Sequence, residues 1–153
     1  MKAQLNELQA PQVYINYVRP EYDSMKRVHS SEECVDIIRK LNKDHRIDYK
    51  EYFWVILMNA SASVLGVSQI SEGSDMGTVA STKEILQLAI LSHARAIILV
   101  HNHPAGSLMP SSTDRVLTKK IHLSLELFQI ELNDHIIITK EGYLSMADEG
   151  ILL

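Results

Sequence analysis

The sequence has a single cysteine, Cys34. One thiol excludes an internal disulfide and a thiolate zinc cluster, and it agrees with a reducing compartment. A buried cysteine of this kind is ordinarily inert, so Cys34 is expected to fill space in the core or on a helix face. An excess of positive charge is also missing. The formal net charge is −4, which gives no general attraction to a phosphate backbone, and autonomous nucleic-acid binding is disfavoured. No apolar run approaches the ~18 residues that would cross a bilayer. The opening residues, MKAQLNELQAPQ, lack the apolar segment of a secretory leader. No membrane association and a cytoplasmic location are therefore expected. Internal repeats and low-complexity tracts are absent as well.

What is present suits one globular domain. A chain of 153 residues buries roughly 70% of the surface that its unfolded form exposes, enough for a core without staples. Residues 12–18, QVYINYV, alternate and are rich in β-branched side chains, which predicts a strand. SSEECVDIIRKLN (30–42) reads as a helix, capped by Ser30 or Ser31, with Val35, Ile38 and Leu41 on one face. EYFWVILMN (51–59) is a continuous apolar run too short for a typical helix, hence a buried strand, and SVLGVSQIS (63–71) is its antiparallel partner across a turn. Gly73 and Gly77 mark an irregular loop.

A helix over 81–94, capped by Ser81, leads into the strand AIILV (96–100). A helix over 111–127, a long strand over 128–139 and a short hairpin partner complete the chain. The order β, α, β, β, α, β, α, β, β predicts an α/β fold with a mixed sheet and AIILV at its centre. In open α/β sheets, sites gather where central strands end.

The words that follow AIILV are HNHPAGSLMPSSTD, His101 to Asp114. Side chains at i and i+2 of an extended backbone point the same way, so His101 and His103 can converge while Asn102 faces away. Pro104 stops the strand and Gly106 lets the chain turn. Asp114 falls in the first turn of the next helix, which could carry it back toward the two histidines. Two imidazoles and a carboxylate suit a divalent transition metal, zinc first, with iron or manganese as alternatives. Three protein ligands leave a position for water, as catalytic zinc sites do, and zinc lowers the pKa of bound water to about 7.

Each piece has a plainer reading when taken alone. His-x-His is a weak motif, Ser111-x-x-Asp114 is a capping pattern at a helix start, and Pro104 and Gly106 are ordinary loop residues. The combination is a longer specification. His-x-His-x7-Ser-x2-Asp resembles the JAMM motif of the JAB/MPN metalloproteases at every specified position. The words HNHPAG, PSSTD, LNDHIIIT and SMADEGIL are similar to the RadC branch of that family, whose usual loop has Ser where this chain has Ala105. The resemblance covers roughly residues 50–153, leaving 1–49 as an N-terminal strand and helix extension packed on the same domain.

The resemblance implies a three-layer α/β/α fold like that of cytidine deaminases. It implies one zinc ion held by His101, His103 and Asp114, with Ser111 hydrogen-bonding the developing oxyanion. It also implies an upstream glutamate as general base, and Glu51, ahead of Tyr52-Phe53 and the apolar strand, holds that place. Without the resemblance Glu51 reads as a solvated charge at a strand end. Full-length RadC proteins carry an N-terminal helix-hairpin-helix module, and this chain resembles the short forms without one.

The leading expectation is a zinc metallopeptidase acting on a peptide or isopeptide bond. The alternative is a repair or mobile-element accessory factor that binds nucleic acid without hydrolysing peptides. A deaminase would need a Pro-Cys-x-x-Cys ligand pair, which one cysteine cannot supply. Sheet edges could support a homodimer. Of the remaining histidines, His29 and His45 lie in polar segments and are expected at the surface, His93 and His122 on helices at the surface or boundary. His135 calls for a structural hydrogen bond or a place behind the metal.

Overall fold

The run Tyr52–Met58 forms strand β1, in which every residue is buried. Such a strand must be covered on both faces, and the chain supplies a helical layer for each. The structure, a computed structural model, describes residues 13–14, 16–43, 45–73 and 80–153. Its elements are α1 (Ser31–Leu41), β1, β2 (Val64–Glu72), α2 (Thr82–Leu91), β3 (Ala96–Asn102), α3 (Ser112–Glu126), β4 (Glu131–Ile138) and β5 (Tyr143–Ser145), preceded by one 3-10 turn at Tyr22–Ser24. The strands make a five-stranded sheet in the order β2-β1-β3-β4-β5, with β3 in the middle. β1 is antiparallel to β2 and β3, β3 is parallel to β4, and β5 is antiparallel to β4. The mixed α/β sheet and the central place of AIILV are as expected from the sequence.

Alternation along the strands divides the core. Phe53, Val55 and Leu57 of β1, with Ile97 and Leu99 of β3, pack against Ile85 and Ala89 of α2 and Ile121 and Leu125 of α3. Trp54, Ile56 and Met58, with Ile98 and Val100, pack against Cys34, Val35 and Ile38 of α1 on the other face. The result is three layers, α/β/α. Ile97 and Leu99 are fully buried, so truncating either to alanine costs about 2–5 kcal/mol. Among the described residues no helix is long and apolar enough to cross a membrane.

The helices start where their caps fall. The hydroxyls of Ser30, Ser81 and Ser111 accept from the backbone N–H groups of Glu33, Glu84 and Asp114, satisfying donors that have no partner within the helix.

Three boundaries differ from the sequence reading. Gln12 and Ile15 lie outside the described residues, and Val13, Tyr14 and Asn16–Val18 form no strand. Val13 and Val18 are 93% and 85% exposed, so the alternation has no apolar face to cover, and Tyr17 is tied down by donating its hydroxyl to the Leu65 carbonyl at 2.9 Å. The helix over 81–94 ends at Leu91, because His93 turns to φ +55° and closes the end. The strand over 128–139 begins at Glu131, because Phe128–Ile130 hydrogen-bond back to Leu125 and Glu126, with Gln129 at φ +57°. Gly77 and the residues 1–12 lie outside the described residues.

Candidate metal centre

β3 ends at Asn102, and His103 continues its ladder by donating its backbone N–H to the Ile138 carbonyl at 3.0 Å. His101 and His103 therefore leave the sheet on the side covered by α2 and α3. Pro104 has no N–H to carry the ladder further. The chain folds back through a turn closed by Gly106, whose N–H reaches the His103 carbonyl at 3.0 Å and whose φ of +85° favours glycine. Ser111 then caps α3. In a reciprocal capping box its backbone N–H returns to Oδ2 of Asp114 at 2.7 Å. This box fixes Asp114 at the N-terminal end of α3, which favours a negative charge.

The turn brings three side chains to one point. Nε2 of His101 lies 2.9 Å from Nε2 of His103. Oδ1 of Asp114 is 3.2 Å from the first nitrogen and Oδ2 is 3.3 Å from the second. His101 is buried, while His103 and Asp114 are partly open to solvent. Among the described residues these three form a group that could hold a metal ion.

Hydrogen placement supports that reading. Nδ1 of His103 lies 2.7 Å from the carbonyl of Ser107. A carbonyl only accepts, so Nδ1 carries the hydrogen and a neutral His103 leaves its Nε2 lone pair at the cluster. Lone pairs from imidazole and carboxylate then face one another. Such an arrangement calls for a cation between them, either a proton or a metal ion, and the donor set of two imidazoles and one carboxylate fits zinc.

The electrostatics follow. Burial alone would raise Asp114, but the side chains of His101, His103 and Ser111 gathered around its carboxylate outweigh it and hold the carboxyl well below the usual carboxylate range. The Asp114 carboxylate raises His103 above the ordinary imidazole range against the effect of burial. The Ser107 carbonyl and the charge of Glu51 act in the same direction.

Glu51 enters through the sheet register. Phe53 of β1 pairs with His101 of β3, and carrying that alternation two residues back puts Glu51 level with His103, whose pKa its charge raises. Its carbonyl accepts from Gly73 at 2.8 Å, which holds the start of β1 to the end of β2. The ring of Phe53 stacks on His101, with centroids 5.8 Å apart and planes 9° from parallel.

Two further residues did not emerge from the sequence. Asn102 faces away from the cluster, as expected, but it is fully buried and grips the chain on either side of Glu51 from behind. Its side-chain oxygen accepts from Tyr52 N–H at 2.7 Å, and its amide donates to the carbonyls of Ile47 and Lys50, both at 2.7 Å. Thr118, one helical turn after Asp114, lies 2.6 Å from Nδ1 of His135, whose Nε2 is 2.8 Å from Nδ1 of His101. A buried polar residue four positions after a ligand on the same helix was the available signal. His135 makes the hydrogen bonds expected of it. Burial, with His101 adding to it, pushes its pKa well below the ordinary imidazole range, so the ring is neutral.

Among the other histidines, His45 departs from the surface placement expected of it. It is half-buried, edge-on to Tyr52 with ring centroids 4.5 Å apart, and its Nε2 lies 2.7 Å from Oε1 of Gln69. His29 is exposed, and His122 sits at the boundary beside Glu126 at 3.3 Å. His93 is exposed just beyond α2 rather than on it.

A family model for the RadC-like JAB domain matches residues 28–151, which takes in α1, the whole sheet and the cluster. The chain belongs to the RadC-like JAB domain family. A UPF0758 protein of Flavobacterium johnsoniae is 35% identical over 127 residues, covering 83% of this chain and 54% of the relative. A UPF0758 protein of Porphyromonas gingivalis is 40% identical over 104 residues, 67% of this chain and 46% of the relative. Another from Geotalea uraniireducens is 35% identical over 136 residues, 89% and 58%. The chain spans about half the length of these relatives. The RadC-like JAB match includes α1, so the family resemblance extends further toward the N-terminus than the motif words alone indicate.

Proposed function

We propose that this RadC-like JAB domain is a zinc-dependent hydrolase that cleaves a peptide or isopeptide bond. The observation that carries the reading is the convergence of Nε2 of His101, Nε2 of His103 and the Asp114 carboxylate at the end of the central strand, and the action of the Glu51 charge on His103 supports it.

His101, His103 and Asp114 would hold the metal. A bound zinc ion supplies Lewis acidity and brings the pKa of water to about 7. The chain's own residues do the rest. The Glu51 carboxylate takes a proton from water at the site and returns it to the leaving amine, the work of a general base and then a general acid. The Ser111 hydroxyl, which donates to Asp114 Oδ2 at 2.7 Å, can turn its hydrogen about the Cβ–Oγ bond, leaving the oxygen in the cap, to donate to a carbonyl oxygen that gains negative charge. The N-terminus of α3 adds its partial positive charge at the same place.

The experiment is a screen of peptide and isopeptide substrates with zinc-loaded wild type, with Glu51→Gln as the paired variant. The expected result is cleavage by wild type and a loss of roughly 10²–10⁴-fold in Glu51→Gln at unchanged zinc content. Equal rates for the two proteins would remove Glu51 from the mechanism, and an inert zinc-loaded wild type would contradict the hydrolase reading.

A further inference from the structure

The hydrogens behind His101 can be assigned one atom at a time. The Thr118 hydroxyl oxygen lies 2.6 Å from the backbone carbonyl of Asp114 and 2.6 Å from Nδ1 of His135. The carbonyl only accepts, so the one hydrogen of the hydroxyl goes to Asp114. The hydroxyl oxygen then offers His135 only a lone pair, and Nδ1 of His135 must be the donor. A neutral imidazole carries one N–H, so Nε2 of His135 accepts, and the atom 2.8 Å away that donates to it is Nδ1 of His101. A neutral His101 is then left with a bare Nε2, the atom that faces Asp114 and His103. Thr118 and His135 are 0% exposed and His101 is 1% exposed, so bulk water does not compete for these bonds.

The opposite order is just as instructive. If the Thr118 hydroxyl donated to His135, the ring would take the Nε2–H tautomer, Nδ1 of His101 would have to accept, and the hydrogen of His101 would sit on Nε2. A metal ion would then find that position blocked. The carbonyl of Asp114 decides between the two orders, and it belongs to the residue whose carboxylate is the third candidate ligand.

We propose that Thr118 and His135 are positioning residues that set the tautomer of His101 and so keep its Nε2 free for a metal ion, coupling the ligands on β3 to the ligand on α3. The proposal rests on the reading of His101, His103 and Asp114 as a metal site. It assigns Thr118 a role that its place in the core does not by itself require, because valine would fill the same volume.

The test has two arms. Long-range 1H–15N spectra of the histidine-labelled, metal-free protein read the tautomers directly and need no variant. The expected pattern is Nδ1–H on His135 and Nδ1–H on neutral His101. Zinc affinity, measured by competition with a chromophoric chelator, is expected to fall roughly 10–100-fold in Thr118→Val and to return close to wild type in Thr118→Ser, with melting temperatures recorded beside each. Nε2–H on His135, or a folded Thr118→Val with undiminished zinc affinity, overturns the relay. A wild type that shows the expected tautomers and yet binds no zinc overturns the metal reading and leaves the hydrogen order standing.

Discussion

The side-chain oxygen of Asn102 accepts the backbone N–H of Tyr52 at 2.7 Å, across the β1–β3 pair. The amide of the same side chain donates to the carbonyls of Ile47 and Lys50. The motif therefore works on both faces of the sheet. His101 and His103 turn to the cluster, and Asn102 holds the connector from which Glu51 emerges.

This clamp makes Asn102 a stability residue as well as a neighbour of the site. Asn102→Ala removes three hydrogen bonds and leaves a buried N–H and two carbonyls to find new partners. The expected cost is about 3 kcal/mol in urea denaturation, with faster amide exchange at Tyr52. A loss below about 0.5 kcal/mol would contradict the clamp.

Ser111 has two separable roles, as helix cap and as hydroxyl donor. Ser111→Ala is expected to cost about 1 kcal/mol of stability through the lost cap. Glycine at a cap costs only a few tenths of a kcal/mol relative to serine, so Ser111→Gly should retain most of the stability. The same variant has no side-chain donor and is expected to lose roughly 10²-fold in turnover on any substrate that wild type cleaves. Full turnover in Ser111→Gly would confine Ser111 to the cap.

Burial, with the charges of Asp134 and Glu33 adding to it, pushes the Cys34 thiol up to about 11. The unfolded thiol ionises near 8.5. Between those values the unfolded chain has lost a proton that the folded chain keeps, so the contribution of Cys34 to stability is full below about pH 8.5 and declines as pH rises toward 11. The stability difference between wild type and Cys34→Ala, measured under reducing conditions, is therefore expected to be smaller at pH 10 than at pH 7. Native Cys34 should also resist iodoacetamide at pH 8. A difference that is constant with pH would contradict the assignment.

Much of this was legible where the signal is local. The apolar run 96–100, the two-residue spacing of the histidines, and the Ser-x-x-Asp of a helix start each act over a few residues, and the structure has β3, the converging imidazoles and the α3 capping box at those positions. What was not legible depends on partners far along the chain. Nothing near Asn102 says that it will meet Ile47, and nothing near Thr118 says that it will meet His135; those pairs arise from the β1–β3 register and from the packing of α3 on the sheet. The strand expected over 12–18 failed for the converse reason. Its alternation is real, but Val13 and Val18 are exposed and their segment joins no ladder among the described residues.

The central claim is that His101, His103 and Asp114 hold a metal, and the most direct measurement is elemental analysis of the protein purified without a histidine tag or added metal. The account predicts about one zinc per chain in wild type and none in the double variant His101→Ala, His103→Ala. Wild-type protein that contains no zinc, and takes up none when zinc is supplied, would contradict it.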